Sequence, residues 1–313
     1  MSLVRSSLFR TVRSARFYAS VSSGTPSFTS KTTGPYQVFD REAKRLQKDR
    51  AALKDGGEAS RTVDYVRDEI ADRMLERLQD IKRKFSTILD LGSGSGHFAK
   101  LLDAKSTKKC IMLDSSVQVE RIHADEENLL ETVDRNSQEA IVSCLSLQWV
   151  NDLPGVLVQI KEALKPDGLF LGAMFGGDTL FELRYSFGVT PQLHLQTHWA
   201  QDSRDVSNLL GRAGLTLLTV DVDEIKVNYP SMWELVEDLQ NMGESNAIVE
   251  RRPFIRRDTL AAASAIYSEL HGNEDGTIPA TFQVIFMIGW KPDPSQPKPL
   301  ERGSGQTNLK DVL

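Results

Sequence analysis

The sequence predicts an α/β fold in which a mostly parallel sheet carries helices on both faces. Three observations support this prediction. Short apolar runs alternate with amphipathic stretches, a glycine-rich turn follows the first apolar run, and a long apolar run lies near the end of the chain. Alternating strands and helices are typical of parallel sheets, because the crossover helices pack on both faces of the sheet.

The first half of the chain supplies the regular alternation. Apolar residues at 66, 70, 74, 78 and 81 recur at the spacing of one helical face and predict a covering helix. Strands are predicted at 85–91, 110–114, 140–150 and 169–175, with helices at 97–104 and 153–164. Pro166 and Gly168 close the second of these helices.

The alternation stops after Phe175. Residues 176–202 contain Gly, Thr, Pro and His without strand periodicity, and we expect them to form a lid or a substrate insertion. Helices are predicted at 206–215 and 229–243, and strands at 216–227 and 280–292. The predicted domain spans residues 36–292 and includes a helical substrate-side segment at 229–275, and residues 293–313 form a polar tail.

The composition excludes several classes of protein. The 313 residues carry a net charge of −5, whereas a nucleic-acid-binding surface needs a basic excess, so nucleic acid is not an expected partner. No apolar run reaches the length of about 18 to 20 residues that a membrane-spanning helix needs. Cys110 and Cys144 lie in separate apolar stretches, which is typical of buried, reduced thiols.

Residues 1–35 are predicted to be a mitochondrial transit peptide. The chain before Asp40 has many Ser and Thr residues, no acidic residue, and the basic residues Arg5, Arg10, Arg13, Arg16 and Lys31. The stretch "SARFYAS" resembles a matrix-peptidase site with cleavage after Tyr18. The alternative is a disordered basic tail.

The glycine-rich turn reads Asp90-Leu-Gly92-Ser-Gly94-Ser-Gly96. A dinucleotide fingerprint, G-x-G-x-x-G, would need a third glycine at position 97, where the chain has His97. The loop instead resembles motif I of class I S-adenosylmethionine-dependent methyltransferases. S-adenosylmethionine is therefore the predicted cofactor, and a nicotinamide cofactor is the alternative.

Two acidic residues extend the predicted cofactor site. Asp114 ends the second strand, 22 residues after Gly92, where a carboxylate can accept hydrogen bonds from both ribose hydroxyls. Asp125, in "HADEENL", resembles the residue that contacts the adenine amine in the same family. The predicted cofactor-binding residues are Asp90, Gly92, Ser93, Gly94, Gly96, Asp114, Ser115 and Asp125.

A closer resemblance covers residues 38–303. The stretches "GAMFGGDTLFELR", "MGESNA", "RRDTLAAASAIY" and "NEDGTIPATFQVIFMIGW" resemble the family of mitochondrial arginine hydroxylases that assist the assembly of respiratory complex I. This resemblance implies a Rossmann-like class I methyltransferase fold, whose seven-stranded, mostly parallel sheet has one antiparallel terminal strand. It also implies hydroxylation of an arginine in a matrix-arm subunit of complex I, early in assembly.

The same resemblance implies where the protein acts and with what. The target subunit is the expected partner, and other assembly factors are further candidates. The expected location is the mitochondrial matrix, peripherally on the matrix face of the inner membrane. The sequence departs from the family at Ser93, where a cysteine is frequent, and at Gln148, where close relatives often have histidine, which can shuttle a proton.

Two other functions stay open. "LSLQWVNDLP" and "LKPDGLF" more distantly resemble the malonyl-carrier-protein methyltransferases of biotin synthesis, so a methyltransferase acting on a carboxylate or a protein side chain is one alternative. The other is a non-catalytic assembly chaperone that is stabilised by its bound nucleotide.

Candidate substrate-side residues follow the ends of the predicted strands, where ligands bind in open α/β sheets. An arginine substrate favours carboxylates and aromatic faces, which makes Trp149, Asp178, Glu182 and Glu244 the candidate catalytic or substrate-binding residues. Iron would usually need two histidines and a carboxylate. His123 and Asp125 form an H-x-D pair, but Asp125 is assigned to adenine, and no metal site is predicted.

Overall fold

The computed structural model describes residues 37–103, 107–115, 122–187, 203–251 and 254–297. The predicted transit peptide at 1–35, residues 188–202 of the predicted insertion and the tail beyond residue 297 lie outside the described residues.

Within the described residues, seven strands form one sheet in the order β3-β2-β1-β4-β5-β7-β6. The strands are β1 Thr87–Leu91, β2 Lys109–Asp114, β3 Ile122–His123, β4 Gln138–Cys144, β5 Leu164–Phe175, β6 Thr216–Tyr229 and β7 Ile278–Trp290. The first strand is central, because Ile88 pairs with Cys110 of β2 on one side and with Ala140 of β4 on the other, both in parallel register.

The terminal strand β7 runs opposite to its two neighbours. It pairs antiparallel with β5, for example at Gly172 and Met287, and antiparallel with β6, for example at Ile225 and Phe282. The sheet is thus mostly parallel with one reversed strand, and the predicted class I methyltransferase topology is confirmed.

Helices cover both faces of the sheet. The helices are α1 Arg41–Leu53, α2 Glu58–Thr62, α3 Tyr65–Gln79, α4 His97–Leu101, α5 Leu129–Thr132, α6 Leu153–Ala163, α7 Phe181–Ser186, α8 Ser203–Ala213, α9 Met232–Asn241 and α10 Arg257–His271. One buried apolar cluster includes Ile70 of α3, Leu235 of α9 and Tyr267 of α10. The other includes Ile160 of α6 and Leu210 of α8. The described residues contain no helix that is long and apolar enough to cross a membrane.

Several predicted boundaries differ from those of the structure, including the ends of β4 and α6. The strand predicted at 140–150 ends at Cys144, because Leu145 has a left-handed φ of 55° and a short 3-10 turn, Leu147–Trp149, follows. The apolar run continues through this bend, so its hydrophobicity concealed the end of the strand. The helix α6 ends at Ala163, just before its predicted end, and β5 begins at Leu164.

Candidate functional site

The glycine loop lies at the carboxyl end of β1 and is held against the end of β2. The Gly92 and Ser93 amides both donate to the Leu113 carbonyl, at 2.7 and 3.1 Å. Gly92, Gly94 and Gly96 all have positive φ, at 69°, 52° and 80°. Residues with a side chain rarely adopt these backbone angles, so the shape of the turn requires glycine at these three positions.

Gly92 and Gly94 face different surroundings. A Cβ on Gly92 would lie 2.1 Å from Ser146 Oγ, whereas a Cβ on Gly94 would meet no atom within 4 Å. The backbone of Gly92 is therefore packed tightly against the loop after β4, and the backbone at Gly94 borders open space.

Asp114 connects the second strand to the glycine loop. Its side chain is fully buried at the end of β2, and its Oδ2 accepts a hydrogen bond of 2.7 Å from the Gly94 amide. Asp114 also lines the pocket beside the loop, where the sequence placed the ribose acceptor.

A pocket of about 800 Å³, including its part open to solvent, lies beside the loop. Gly92, Ser93, Gly94 and Asp114 line one side. The other lining residues are Lys48, Ala51, Ala52, Ser60, Arg67, Ser95, His97, Phe98, Cys144, Leu145 and Met242. Several of these come from α1 and α3, which the glycine motif alone could not identify.

The remaining predicted cofactor residues do not line this pocket. Asp90 is fully buried within β1, Gly96 is the N-cap of α4, and Ser115 directly follows Asp114. Asp125 forms an ion pair with Arg41 at 2.6 Å and caps the short turn after it through the Glu127 amide. The proposed adenine contact of Asp125 stays a prediction.

Glu126, next to Asp125, is a residue that the sequence analysis missed. It is buried, pairs with Arg41, and accepts a hydrogen bond of 2.8 Å from Ser146, the residue against which Gly92 packs. Burial alone would raise the pKa of Glu126, but the charges of Arg41 and Lys48 lower it to about 2. The acidic run "DEEN" was the signal in the sequence that could have identified Glu126. Glu126 stabilises the glycine loop indirectly, because it holds Ser146, which packs against Gly92.

Two of the four substrate-side candidates meet in the structure. Trp149 donates from Nε1 to Glu244 Oε2 at 2.9 Å, and both side chains are buried. Lys44 of α1 also donates to Glu244 Oε2, at 2.8 Å, and its Nζ lies 3.6 Å from the centre of the Trp149 ring. Arg67 donates to the other carboxylate oxygen at 3.2 Å.

Burial and charge act in opposite directions on this cluster. Burial lowers the pKa of Lys44 to about 7, although the charge of Glu244 opposes the change. Burial alone would raise the pKa of Glu244, but the nearby charges of Lys44 and Arg67 hold it below its ordinary value. Glu244 is therefore a carboxylate in a site rich in cations.

The other two candidates have separate surroundings. Glu182 is buried and accepts hydrogen bonds from the Thr281 hydroxyl, at 2.5 Å, and the Thr281 amide, at 3.3 Å, in β7. Asp178 is exposed and lies near Gln283 and Arg184. These contacts tie both residues to β7 and α7, and neither residue lines the pocket.

Asn151 holds the segment that leads into α1. Its Oδ1 accepts from the Val38 and Phe39 amides at 2.9 and 2.8 Å, and its Nδ2 donates to the Phe39 carbonyl at 3.1 Å. The Phe39 ring packs edge-on against Trp149, with 5.3 Å between the ring centres. These contacts place α1 across the carboxyl ends of the strands.

Two titratable side chains of the pocket, His97 and Cys144, favour their neutral forms. His97 Nδ1 lies 2.7 Å from the Asp68 carboxylate, which can only accept, so this nitrogen carries the proton. Burial lowers the pKa of His97. Burial also raises the pKa of the Cys144 thiol, which disfavours the thiolate that a cysteine nucleophile needs. Among the described residues, no three His, Cys, Asp or Glu side chains are placed to hold a metal, and His194 and His198 lie outside that part.

Comparison with known proteins gives a consistent result. The profile of a methyltransferase-domain family matches residues 63–220. The chain is 44% identical over 296 residues to a Danio rerio protein named arginine-hydroxylase NDUFAF5, mitochondrial, covering 88% of this chain and 89% of the relative. It is 43% identical over 312 residues to the Homo sapiens protein of that name, covering 93% of this chain and 88% of the relative.

More distant similarities agree with the fold. The malonyl-[acyl-carrier protein] O-methyltransferase of Gallionella capsiferriformans is 31% identical over 280 residues, covering 82% of this chain and 93% of the relative. A solved methyltransferase-type structure from Bacillus halodurans superimposes with a TM-score of 0.51 at 14% identity, covering 70% of this chain and 99% of the other. This structural similarity supports the class I methyltransferase fold alone.

Proposed function

Because this chain belongs to the family of mitochondrial arginine hydroxylases built on a methyltransferase domain, we propose that it hydroxylates an arginine of a matrix-arm subunit of respiratory complex I early in assembly. The observation that carries this proposal is the identity of 43–44% with the arginine hydroxylases over 88–93% of this chain. An aligned span of 93% of this chain includes the positions of the glycine loop, the Trp149 turn and the Glu244 segment.

The residues beside the loop fit S-adenosylmethionine. Gly92 and Gly94 bring the backbone to the pocket without side chains, and the buried Asp114 carboxylate lines the same pocket, where it can accept from ribose hydroxyls. When bound, S-adenosylmethionine carries an activated methyl group on a sulfonium. The cofactor residues proposed are Gly92, Ser93, Gly94 and Asp114, with Asp90, Gly96, Ser115 and Asp125 around them.

The family supports a mitochondrial location. The named relatives are mitochondrial, and we propose that this protein acts in the matrix, peripherally on the matrix face of the inner membrane, after removal of a transit peptide within residues 1–35. The expected partners are the matrix-arm subunit that carries the target arginine and other assembly factors. The 229–275 segment is proposed to face that subunit, since Met242 lines the pocket.

Methyl transfer is the second candidate function. It is favoured by the methyltransferase-domain match and by the similarity of 31% to a malonyl-carrier-protein methyltransferase. Fold alone cannot separate the two reactions, because the chemistry depends on the site.

Mass spectrometry of the matrix-arm subunits separates the candidates. In cells that lack this protein, we expect one arginine-containing peptide to lose the mass of one oxygen atom, and the wild-type chain to restore it. Loss of the mass of one methylene group would instead establish methyl transfer. Stalled assembly with every peptide mass unchanged would contradict both reactions and indicate a chaperone.

A further inference from the structure

Lys44 occupies a site whose chemistry suits an arginine side chain. Its ammonium donates to the Gly243 carbonyl at 2.6 Å and to Glu244 Oε2 at 2.8 Å, and it lies over the Trp149 ring. We call this set, the Gly243 carbonyl, the Glu244 carboxylate and the Trp149 ring, the Glu244 site.

These three groups recognise a guanidinium at least as well as an ammonium. A guanidinium is planar, carries five donors, pairs with carboxylates and stacks on aromatic faces. The Glu244 site offers two acceptors on one side and an aromatic face on the other. The buried surroundings strengthen both interactions relative to water.

The Glu244 site adjoins the cofactor pocket. Arg67 and Met242 line the pocket, and Arg67 donates both to the Met242 carbonyl and to Glu244. A side chain held at Glu244 would therefore lie directly behind the pocket wall. Glu182, the other buried candidate carboxylate, already accepts from the Thr281 hydroxyl and amide.

The helix that carries Lys44 is attached mainly by polar contacts. Within α1 only Lys44 and Ala51 are buried, and Leu46 and Leu53 are 48% and 64% exposed. Its other attachments include the ion pairs of Arg41 with Asp125 and Glu126 and the hydrogen bond from Gln47 to the Asn246 carbonyl. Segments with few buried apolar contacts open locally at lower free energy than the core.

On the premise of the proposed function, we propose that the Glu244 site binds the guanidinium of the substrate arginine and that Lys44 occupies it as an internal competitor. The substrate arginine takes the place of the Lys44 ammonium when α1 moves aside. When the Lys44 amine is protonated, the exchange replaces one cation by another, so the charge around Glu244 and Arg67 is conserved.

The test compares binding of N-acetyl-L-arginine N-methylamide to the wild-type chain and to Lys44→Met, by calorimetry with saturating S-adenosylmethionine. Methionine keeps the apolar stem and removes the ammonium. In the wild type, the apparent affinity for the arginine analogue is the intrinsic affinity multiplied by the fraction of molecules in which Lys44 has left the site. Without the ammonium the site is free in every molecule, so we expect the affinity to rise about tenfold or more. The neutral citrulline analogue should not bind.

Two further variants control the result. Lys54→Met removes a hydrogen bond of 2.8 Å to Asn241 of α9 but leaves Lys44 in place, and should keep the wild-type affinity. The double variant Lys44→Met/Glu244→Gln should lose the gain. Lys44→Gln, which can still donate to the Gly243 carbonyl, replaces Lys44→Met if a thermal melt shows that the latter is unfolded.

Unchanged affinity in a folded Lys44 variant would overturn the inference, as would an equal gain in Lys54→Met. Hydroxylation is measured separately on the matrix-arm subunits. A gain in arginine binding without hydroxylation would overturn the proposed reaction and leave the Glu244 site standing. Hydroxylation without any gain in arginine binding would overturn the Glu244 site and leave the proposed reaction standing.

Discussion

At the scale of single residues, the glycine loop shows that glycine can be required at a position for two different reasons. Gly92 and Gly276 have similar positive φ values of 69° and 83°. A Cβ on Gly92 would overlap Ser146, whereas a Cβ on Gly276 would meet no atom within 4 Å. Gly276 therefore needs glycine for its backbone conformation alone, and Gly92 needs it for its packing as well.

Gly92→Ala and Gly276→Ala separate these two requirements. Alanine at a positive φ should cost roughly 1 kcal/mol at either position. Overlap with Ser146 should add about 1 to 3 kcal/mol at Gly92 only. Denaturant unfolding measures both values, and equal destabilisation of the two variants would show that the packing against Ser146 does not matter.

At the scale of elements, α1 is held to the sheet by ionic contacts. Arg41, in its first turn, pairs with Asp125 and Glu126, which follow β3. The Glu126 side chain is 1% exposed, so its charge is screened little by solvent. The attachment of α1 should therefore depend on the ionisation of Glu126.

This dependence has a definite sign. The pKa of Glu126 is about 2 in the folded protein against an ordinary value of 4.5, so the ionised form stabilises the fold. The stabilisation is fully present above pH 4.5 and is lost as the pH falls towards 2. A shift of this size corresponds to about 3 kcal/mol.

The measurement is the free energy of unfolding of the wild type and of Glu126→Gln across that pH range. The difference between the two should be largest above pH 4.5 and should shrink as the pH approaches 2. Glu131→Gln, an exposed carboxylate in α5, should show little difference at any pH. A difference for Glu126→Gln that does not change with pH would rule out the ion pair as its cause.

At the scale of the whole molecule, the pocket joins parts of the chain that are distant in sequence. Lys48 of α1, Arg67 of α3, Asp114 of β2 and Met242 after α9 all contribute to its wall. A ligand that contacts all of these elements binds only the folded chain, and its binding free energy therefore adds to stability.

S-adenosylmethionine should raise the melting temperature accordingly. At about 100 times its Kd it adds about 2.7 kcal/mol, or roughly 5 to 10 °C for a domain of this size. Asp114→Ala should weaken binding about 100-fold or more, because two charge-assisted hydrogen bonds are lost. Differential scanning fluorimetry should then show an upward shift of at most about 1 to 2 °C at the same concentration.

Asp114→Asn and Asp134→Ala are the matched controls. Asparagine can still accept the Gly94 amide, which separates support of the loop from recognition of the ribose. Asp134 is exposed and does not line the pocket, so its variant should keep the full shift. A full shift in Asp114→Ala would remove Asp114 from the cofactor site.

The reversed terminal strand was implied by the family resemblance. The sequence by itself determined the alternation of strands and helices, the glycine loop and the position of Asp114 beside it. These features depend on spacing within short segments, where dihedral preferences and periodicity are local. Only the tertiary structure decided that Lys44 meets Glu244, 200 residues away, that Asn151 holds the start of α1, and that Asp178 and Glu182 lie elsewhere. Contacts between remote segments depend on how helices pack over the sheet, and no local pattern encodes that packing.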